Sequence, residues 1–180
     1  INTLTNGYTV LEGNMNLAVA LYLNNAVKPF DNDLVRQALC WAIDVDAVMD
    51  FASGGHGTKI GSSMYPSFAK YFDASLADNY GYDPENAKEL LAQAGYPDGF
   101  TFTIMVPSEY QHPYGDMAQV IAEQLKEVGV TANIELIQWS SWLSDVYANR
   151  DFESTIAGFD ANVLTASAML ERWTTGAAKN

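Results

Sequence analysis

The feature that most limits the possible folds is a regular alternation of helix and strand patterns from residue 83 onward. Apolar residues recur at helical spacing in four segments, and three short segments rich in β-branched and aromatic residues separate them, at 100–106, 131–137 and 152–159. The resulting order is α-β-α-β-α-β-α, which is typical of a sheet covered by helices. We therefore predict an α/β fold.

The first helix of this series has a clear beginning and end in the sequence. Asp83 can cap it, Pro84 suits its first turn, and Gly95 follows its last apolar residue. One buried stripe is expected, which consists of Ala87, Leu90, Leu91 and Ala94. The later helices are predicted at 116–128, 139–148 and 165–173.

The amino-terminal part of the chain predicts two strands followed by two helices. The strands are expected at 8–11 and 17–23, on either side of a glycine-containing turn. Asp31 or Asn32 can cap the first helix, and Asp44 can end that helix and cap the second.

Composition limits both the number of domains and the kind of partner. The 180 residues are 48% hydrophobic, enough for one substantial core and a single domain. Acidic residues outnumber basic ones 22 to 9, for a formal net charge of −13. Such a chain repels nucleic-acid phosphates and anionic lipids, so its expected partners are neutral, zwitterionic or cationic, although acidity also serves solubility alone.

Motifs for catalysis or metal binding are not found in the sequence. It lacks a GxSxG nucleophile elbow, an HExxH zinc motif, a Walker loop and a GxGxxG fingerprint. His56 and His112 are the only histidines, and two loop histidines without a carboxylate pattern do not predict a metal. Cys40, the single cysteine, is expected to be a buried, inert thiol. We predict no metal, no cofactor and no enzyme activity.

The ends of the chain predict a piece of a longer protein. Residues 1–10 have no charged or strongly apolar stretch of the kind a signal peptide needs, and the sequence does not begin with methionine. No apolar run is long enough to span a bilayer.

Aromatic residues cluster at predicted strand ends and in the loops that follow strands. They are Tyr110, Tyr114, Trp139, Trp142 and Phe159. The carboxyl ends of strands are where α/β sheets bind ligands, and rigid aromatic rings cover flat or apolar groups at low entropic cost. Packing between helix and sheet is the favoured role for Trp142, whereas Trp139 suits either role.

Four segments of the sequence resemble the bacterial family 5 solute-binding proteins, the peptide, opine and nickel receptors of ABC importers. They are PFDNDLVRQALCWAID at 29–44, YDPENAKELLAQAGYPDGF at 82–100, VIAEQLKEVGVTANIELIQW at 120–139 and DFESTIAGFDA at 151–161. Their order and spacing are those of the family, and the likeness covers about residues 20–170.

The resemblance implies a fold and a function. Residues 1–180 would form a single ligand-binding lobe, with a mixed sheet flanked by helices: the carboxyl-terminal lobe of a two-lobed, class II periplasmic-binding-protein-like receptor. The amino-terminal lobe and the final crossover segment would lie outside this chain. The implied function is binding peptides or similar small solutes between two lobes, as a monomer, and delivering them to an ABC permease in the membrane. The implied location is extracytoplasmic, in the periplasm or as a cell-surface lipoprotein.

Individual ligand contacts carry over only where residues match the family pattern. Trp139 falls where peptide receptors place a tryptophan that lines side-chain pockets, and Phe159 falls at a tryptophan that covers the ligand backbone. Asn162 replaces an aspartate that pairs with the ligand's α-ammonium, so that charge is lost unless Asp160 supplies it. Ile156 falls where some receptors carry an arginine.

Two further positions follow from the same resemblance. The loop 108–114, with Tyr110 and Tyr114, corresponds to a segment that touches ligand in relatives, although its sequence differs. Arg36, within the VRQA motif, is expected to anchor carboxylates or carbonyls inside the lobe.

Two other functions remain open at the level of sequence. The same lobe is sometimes fused to a DNA-binding domain, which would make it the ligand sensor of a transcriptional regulator. Acids together with surface tryptophans also suit a carbohydrate-active enzyme, which would need two carboxylates facing each other across a cleft.

Overall fold

The computed structural model places four strands and six α-helices in the described part of the chain, residues 7, 9, 11, 13, 15–160, 165–171 and 173–176. The strands are β1 Leu17–Leu23, β2 Thr101–Pro107, β3 Thr131–Ile137 and β4 Ser154–Asp160. The helices are α1 Asp33–Ala42, α2 Val45–Ser53, α3 Pro84–Gln93, α4 Asp116–Lys126, α5 Trp139–Ser141 and α6 Ala166–Glu171. Helix α5 continues directly into a π-helical stretch, Trp142–Ala148. The strand predicted at 8–11 falls partly outside the described residues.

The four strands form one mixed sheet in the order β1-β4-β2-β3. Strand β2 runs parallel to β3 and β4, whereas β1 pairs antiparallel with β4, with Leu17 opposite Asp160. The carboxyl ends of β2, β3 and β4 therefore meet at one edge, called here the carboxyl edge. The predicted α/β fold with a mixed sheet flanked by helices is confirmed.

Helix starts lie where the sequence places their caps. The Asn32 side chain accepts a hydrogen bond from the Leu34 amide at 2.9 Å, and Asp44 accepts from the first amides of α2. Asp83 accepts from the Asn86 amide at 3.0 Å. Each cap satisfies a backbone donor that the helix itself cannot pair.

The main core lies on one face of the sheet, beneath α1, α3 and α4. Its largest fully buried side chains include Phe30, Phe102, Ile104, Leu125 and Ile156. A smaller cluster covers the other face, where the 142–148 stretch packs Trp142 and Val146 against Ala157. Ile156, at the position where some receptors carry an arginine, is buried in the main core and provides no charged group there.

Arg36 performs the structural role expected of it. Its Nη1 donates to the Phe30 carbonyl oxygen at 2.6 Å, and its Nη2 pairs with the Asp33 carboxylate. The guanidinium thus fastens the start of α1 to the loop that precedes it.

Two expectations about burial need correction. Cys40 is exposed, because α1 turns its buried stripe, which contains Leu39, toward the core and a helix rotates about 100° per residue. In α3, Ala87 and Leu91 are buried as expected, but Leu90 and Ala94 are only partly buried at the margin of the core.

None of the helices in the described ranges combines the length and the apolar character needed to cross a bilayer.

Candidate functional site

A continuous row of aromatic rings runs from the carboxyl edge of the sheet onto the face that the 142–148 stretch covers. Tyr114 stacks on Tyr110 with 5.4 Å between ring centroids, and Tyr110 meets Trp139 edge-on at 5.5 Å. Trp139 stacks on Trp142 at 5.1 Å, and Trp142 stacks on Tyr147 at 6.1 Å. We call these five residues the aromatic row. The structure brings together four of the five aromatic residues singled out in the sequence, Tyr110, Tyr114, Trp139 and Trp142.

Exposure differs sharply within the row. Trp139 and Tyr110 are 37% and 41% exposed, whereas Trp142 and Tyr114 are only 4% and 8% exposed. The buried rings therefore hold the two exposed rings from behind. Such preorganised ring faces bind flat or apolar ligand groups at little cost in side-chain entropy.

Trp142 is fixed by a hydrogen-bond relay to the sheet. Its indole Nε1 donates to Thr155 Oγ1 at 2.9 Å, and Thr155 Oγ1 donates to the Met105 carbonyl oxygen at 2.7 Å. Both side chains are buried. The expectation that Trp142 serves packing is confirmed, and the relay joins β2 and β4 to the helical segment that carries Trp139.

Tyr114 is fixed against a glycine in β4. A Cβ atom at Gly158 would lie 2.5 Å from the Tyr114 hydroxyl oxygen and 2.9 Å from Leu17 Cδ1, so a larger residue would force these side chains to shift. Burial raises the pKa of the Tyr114 phenol, and the neighbouring Tyr110 raises it further, while a hydrogen bond with the Gly158 backbone opposes them.

Glu109 joins the two segments that contribute the aromatic row. Its carboxylate accepts a hydrogen bond from the backbone amide of Trp139, at 2.9 Å to Oε2 and 3.2 Å to Oε1. The Ser108 hydroxyl donates to Glu109 Oε2 at 3.1 Å. Hydrogen bonds from its own backbone amide and from that of Trp139 hold the pKa of this carboxyl below its usual range. Sequence reasoning missed Glu109, because the only local signal was an acid one residue before an aromatic.

Phe159 lies at the same edge but in a different aromatic contact. Its ring meets Tyr22 edge-on at 4.9 Å, and its backbone carbonyl accepts a hydrogen bond from the Tyr65 hydroxyl at 2.7 Å. Asp160 is exposed, and strand alternation directs it to the opposite face from Phe159. Asn162 lies outside the described residues.

The charges at the carboxyl edge are acidic. The segments 108–116 and 138–149 contain no lysine or arginine. His112 is the one basic side chain in them, and its Nδ1 lies 2.5 Å from Asp116 Oδ2. Across the described residues, no three His, Cys, Asp or Glu side chains lie close enough together to hold a metal ion.

A separate surface hollow of about 480 Å³ lies between the loop at 68–71 and α6. Its lining contains no charged side chain and consists of Phe68, Tyr71, Thr165, Ala166, Ser167 and Leu170. No residue of the aromatic row takes part in it.

Comparisons with known proteins find relatives that bind small ligands. The model for the middle region of bacterial extracellular solute-binding proteins, family 5, matches residues 2–180. Heme-binding protein A of Haemophilus influenzae is 37% identical over 122 residues, which are 66% of this chain and 22% of that protein. The glutathione-binding protein GsiB of Salmonella typhimurium is 35% identical over 138 residues, 76% of this chain and 26% of that protein.

A solved structure extends the comparison to the fold. The ABC transporter-associated periplasmic binding protein DppA of Helicobacter pylori, in complex with the peptide STSA, is 32% identical with a TM-score of 0.75. The match covers 86% of this chain and 29% of that one. The chain thus spans about a quarter of the length of these relatives. With nearly all of its residues matched by the family model, the chain belongs to the family 5 bacterial extracellular solute-binding proteins.

Proposed function

We propose that this chain forms one wall of the ligand cleft in the solute-binding component of an ABC importer. The observation that carries the proposal is the aromatic row, with Trp139 and Tyr110 exposed at the carboxyl edge of the sheet. Carboxyl edges are where open α/β sheets bind ligands. The full-length protein would act outside the cytoplasm as a monomer, in the periplasm or as a cell-surface lipoprotein, and would hand its ligand to a membrane permease.

Residues 1–180 serve in this proposal as a single lobe, and a second lobe of the full-length protein supplies the opposite wall. A ligand bound between the lobes shifts the equilibrium toward the closed form. The size of the shift equals the difference between its binding free energies for the closed and the open form. The function is binding without bond-making, so Trp139, Tyr110, Tyr114 and Phe159 act as ligand contacts or their supports.

Peptides or similar small zwitterionic solutes are the proposed ligand class. The segments 108–116 and 138–149, which supply the exposed rings of Tyr110 and Trp139, contain no lysine or arginine. The Arg150 guanidinium lies at the other end of the row, 5.8 Å from the centroid of the Tyr147 ring. The absence of basic groups in the segments with the exposed rings disfavours ligands of high negative charge there. Aromatic faces accept side chains of many shapes, and this suits a receptor for varied peptides. Asp160 is exposed on the opposite face of β4 from Phe159, so we propose that the ligand's amino terminus is not held by a carboxylate in β4.

The relatives named above are binding proteins, and their names give heme, glutathione and a peptide as ligands. Neither a transcriptional regulator nor a carbohydrate-active enzyme finds support among them.

Calorimetry on the full-length protein tests the proposal with glutathione, heme and the peptide STSA as separate ligands. We expect one of them to bind, and Trp139→Ala to weaken that binding at least tenfold. Tyr71→Ala is the matched control, because Tyr71 is exposed but lies at the separate hollow. Binding that Trp139→Ala leaves unchanged would place the ligand away from the aromatic row.

A further inference from the structure

Glu109 lies between the two segments that contribute the aromatic row. Tyr110 and Tyr114 come from the loop after β2, whereas Trp139 and Trp142 come from the helical segment after β3. The contact between the two halves is the edge-on meeting of Tyr110 and Trp139 at 5.5 Å. The Glu109 carboxylate reaches across the same junction to the Trp139 amide at 2.9 Å.

The start of α5 has an unpaired donor that this contact satisfies. Within the described part of the chain, the N-cap residue Gln138 makes no side-chain hydrogen bond to the helix. The first amides of a helix have no partner inside it and need an acceptor from elsewhere. Glu109, 30 residues earlier in the chain, provides that acceptor for Trp139.

The Glu109 carboxylate accepts hydrogen bonds from two donors of this chain, the Trp139 amide and the Ser108 hydroxyl. Oε2 accepts from the Trp139 amide and the Ser108 hydroxyl, and Oε1 accepts from the Trp139 amide. Because the carboxylate bonds to the Trp139 amide through both of its oxygens, it has a structural role within this chain.

We infer that Glu109 is a positioning residue, which caps α5 from the neighbouring loop and thereby fixes Trp139 against Tyr110. Its importance for ligand binding rests on the proposed function, but its effect on the geometry of the row does not. Above the pKa of this carboxyl the cap is a charge-assisted hydrogen bond. As pH falls and the carboxyl becomes protonated, the cap weakens to a hydrogen bond with the neutral carbonyl oxygen.

Labelling with ¹⁵N-tryptophan gives a direct test by NMR, because residues 1–180 contain only four tryptophans. No ligand is needed, so a failure of the proposed function would not affect the result. We expect Glu109→Ala to speed hydrogen exchange of the Trp139 amide at least tenfold and to remove the nuclear Overhauser contact between the Tyr110 and Trp139 rings. Glu109→Gln retains an acceptor oxygen and should keep exchange within threefold of the parent protein and the ring contact intact.

Two controls keep this test decisive. Glu89→Ala removes an exposed glutamate of α3 and should leave the Trp139 amide unchanged. The Trp142 indole signal, whose proton is bonded to Thr155, reports whether a variant is folded.

A pH titration of the parent protein supplies a second measurement if Glu109→Ala does not fold. The other titratable groups of the segments meeting at this edge are Tyr110, His112, Tyr114, Asp116, Asp145, Tyr147 and Asp160. The Trp139 amide shift should titrate with a midpoint below about 4.3, the usual glutamate value, and should not do so in Glu109→Gln. Unchanged exchange in a folded Glu109→Ala, or an amide shift that titrates identically in Glu109→Gln, would overturn the inference.

Discussion

The indole rings of Trp139 and Trp142 lie 5.1 Å apart with their planes only 4° from parallel. Residues three positions apart on a helix share one face, so the helical segment after β3 places one ring above the other. The inner ring is buried and bonded to Thr155, while the outer ring is exposed at the carboxyl edge. The hydrogen bond to the sheet thus fixes the Trp142 ring, and the Trp142 ring in turn supports the exposed ring of Trp139.

Thr155→Val is expected to destabilise the protein. The substitution keeps the shape of the side chain but leaves the buried Trp142 indole N–H without its acceptor, which costs about 1–3 kcal/mol. Urea unfolding followed by circular dichroism measures the change. Thr131→Val, at an exposed position in β3, is the control and should change stability by less than about 0.5 kcal/mol. Equal effects of the two substitutions would argue against the relay.

Gly158→Ala is expected to disturb the seat of Tyr114. The added methyl would lie 2.5 Å from the Tyr114 hydroxyl oxygen, and overpacking of this kind costs about 1–3 kcal/mol. The nearest atom to a Cβ at Gly81 is 3.9 Å away, so Gly81→Ala is the matched glycine control and should have little effect. Thermal unfolding of the two variants makes the comparison, and a Gly158→Ala protein as stable as its control would contradict this packing.

Leu91→Ala tests the buried face of α3. Leu91 is only 1% exposed, and truncating a buried leucine costs about 2–5 kcal/mol. Leu90→Ala should cost less, since Leu90 is only partly buried, and Glu89→Ala should cost almost nothing. Denaturant unfolding ranks the three variants, and any other order would mean that the helix presents a different face to the core.

Alkaline pH should weaken the fold partly through Tyr114. Burial raises the pKa of this phenol in the folded protein, so the folded state holds its proton more tightly than the unfolded state does. The contribution of Tyr114 to the free energy of unfolding is therefore fully present below the ordinary tyrosine pKa of about 10. It is lost as pH rises from that pKa through the higher pKa of the folded protein. Stability between pH 9 and 11 should fall less steeply in Tyr114→Phe than in the parent protein. Parallel curves would show that Tyr114 is not responsible.

Acetylating the amino terminus of a bound peptide should change its affinity by less than about threefold, roughly 0.6 kcal/mol. The expectation follows from the proposed function, in which no carboxylate of β4 holds the ligand's α-ammonium. Calorimetry with the free and acetylated forms of STSA on the full-length protein measures the difference. A tenfold or greater loss on acetylation would show that the ammonium is anchored, and Asp160→Asn would then test whether Asp160 is the anchor.

Local features of the fold followed from the sequence because their causes are local. Asn32, Asp44 and Asp83 each cap a helix by accepting a hydrogen bond from an amide two or three residues later. A short stretch of sequence is therefore enough to predict such a contact. The strands predicted at 17–23 and 131–137 coincide with β1 and β3. The family resemblance rested on such segments and predicted the fold. The prediction that Cys40 is buried was wrong, because the elements that pack against a helix decide which of its faces is buried.

The site depended on contacts that no local pattern records. Sequence placed Tyr110, Tyr114 and Trp139 near strand ends, but only the parallel pairing of β2 with β3 brings their segments to one edge. Glu109 reaches Trp139 across 30 residues, and Tyr114 meets Gly158 across 44. Periodicity and capping determine which residues share an element. Tertiary packing decides which elements become neighbours, because the free energy that favours one arrangement comes from burying apolar surfaces that are distant from each other in the chain.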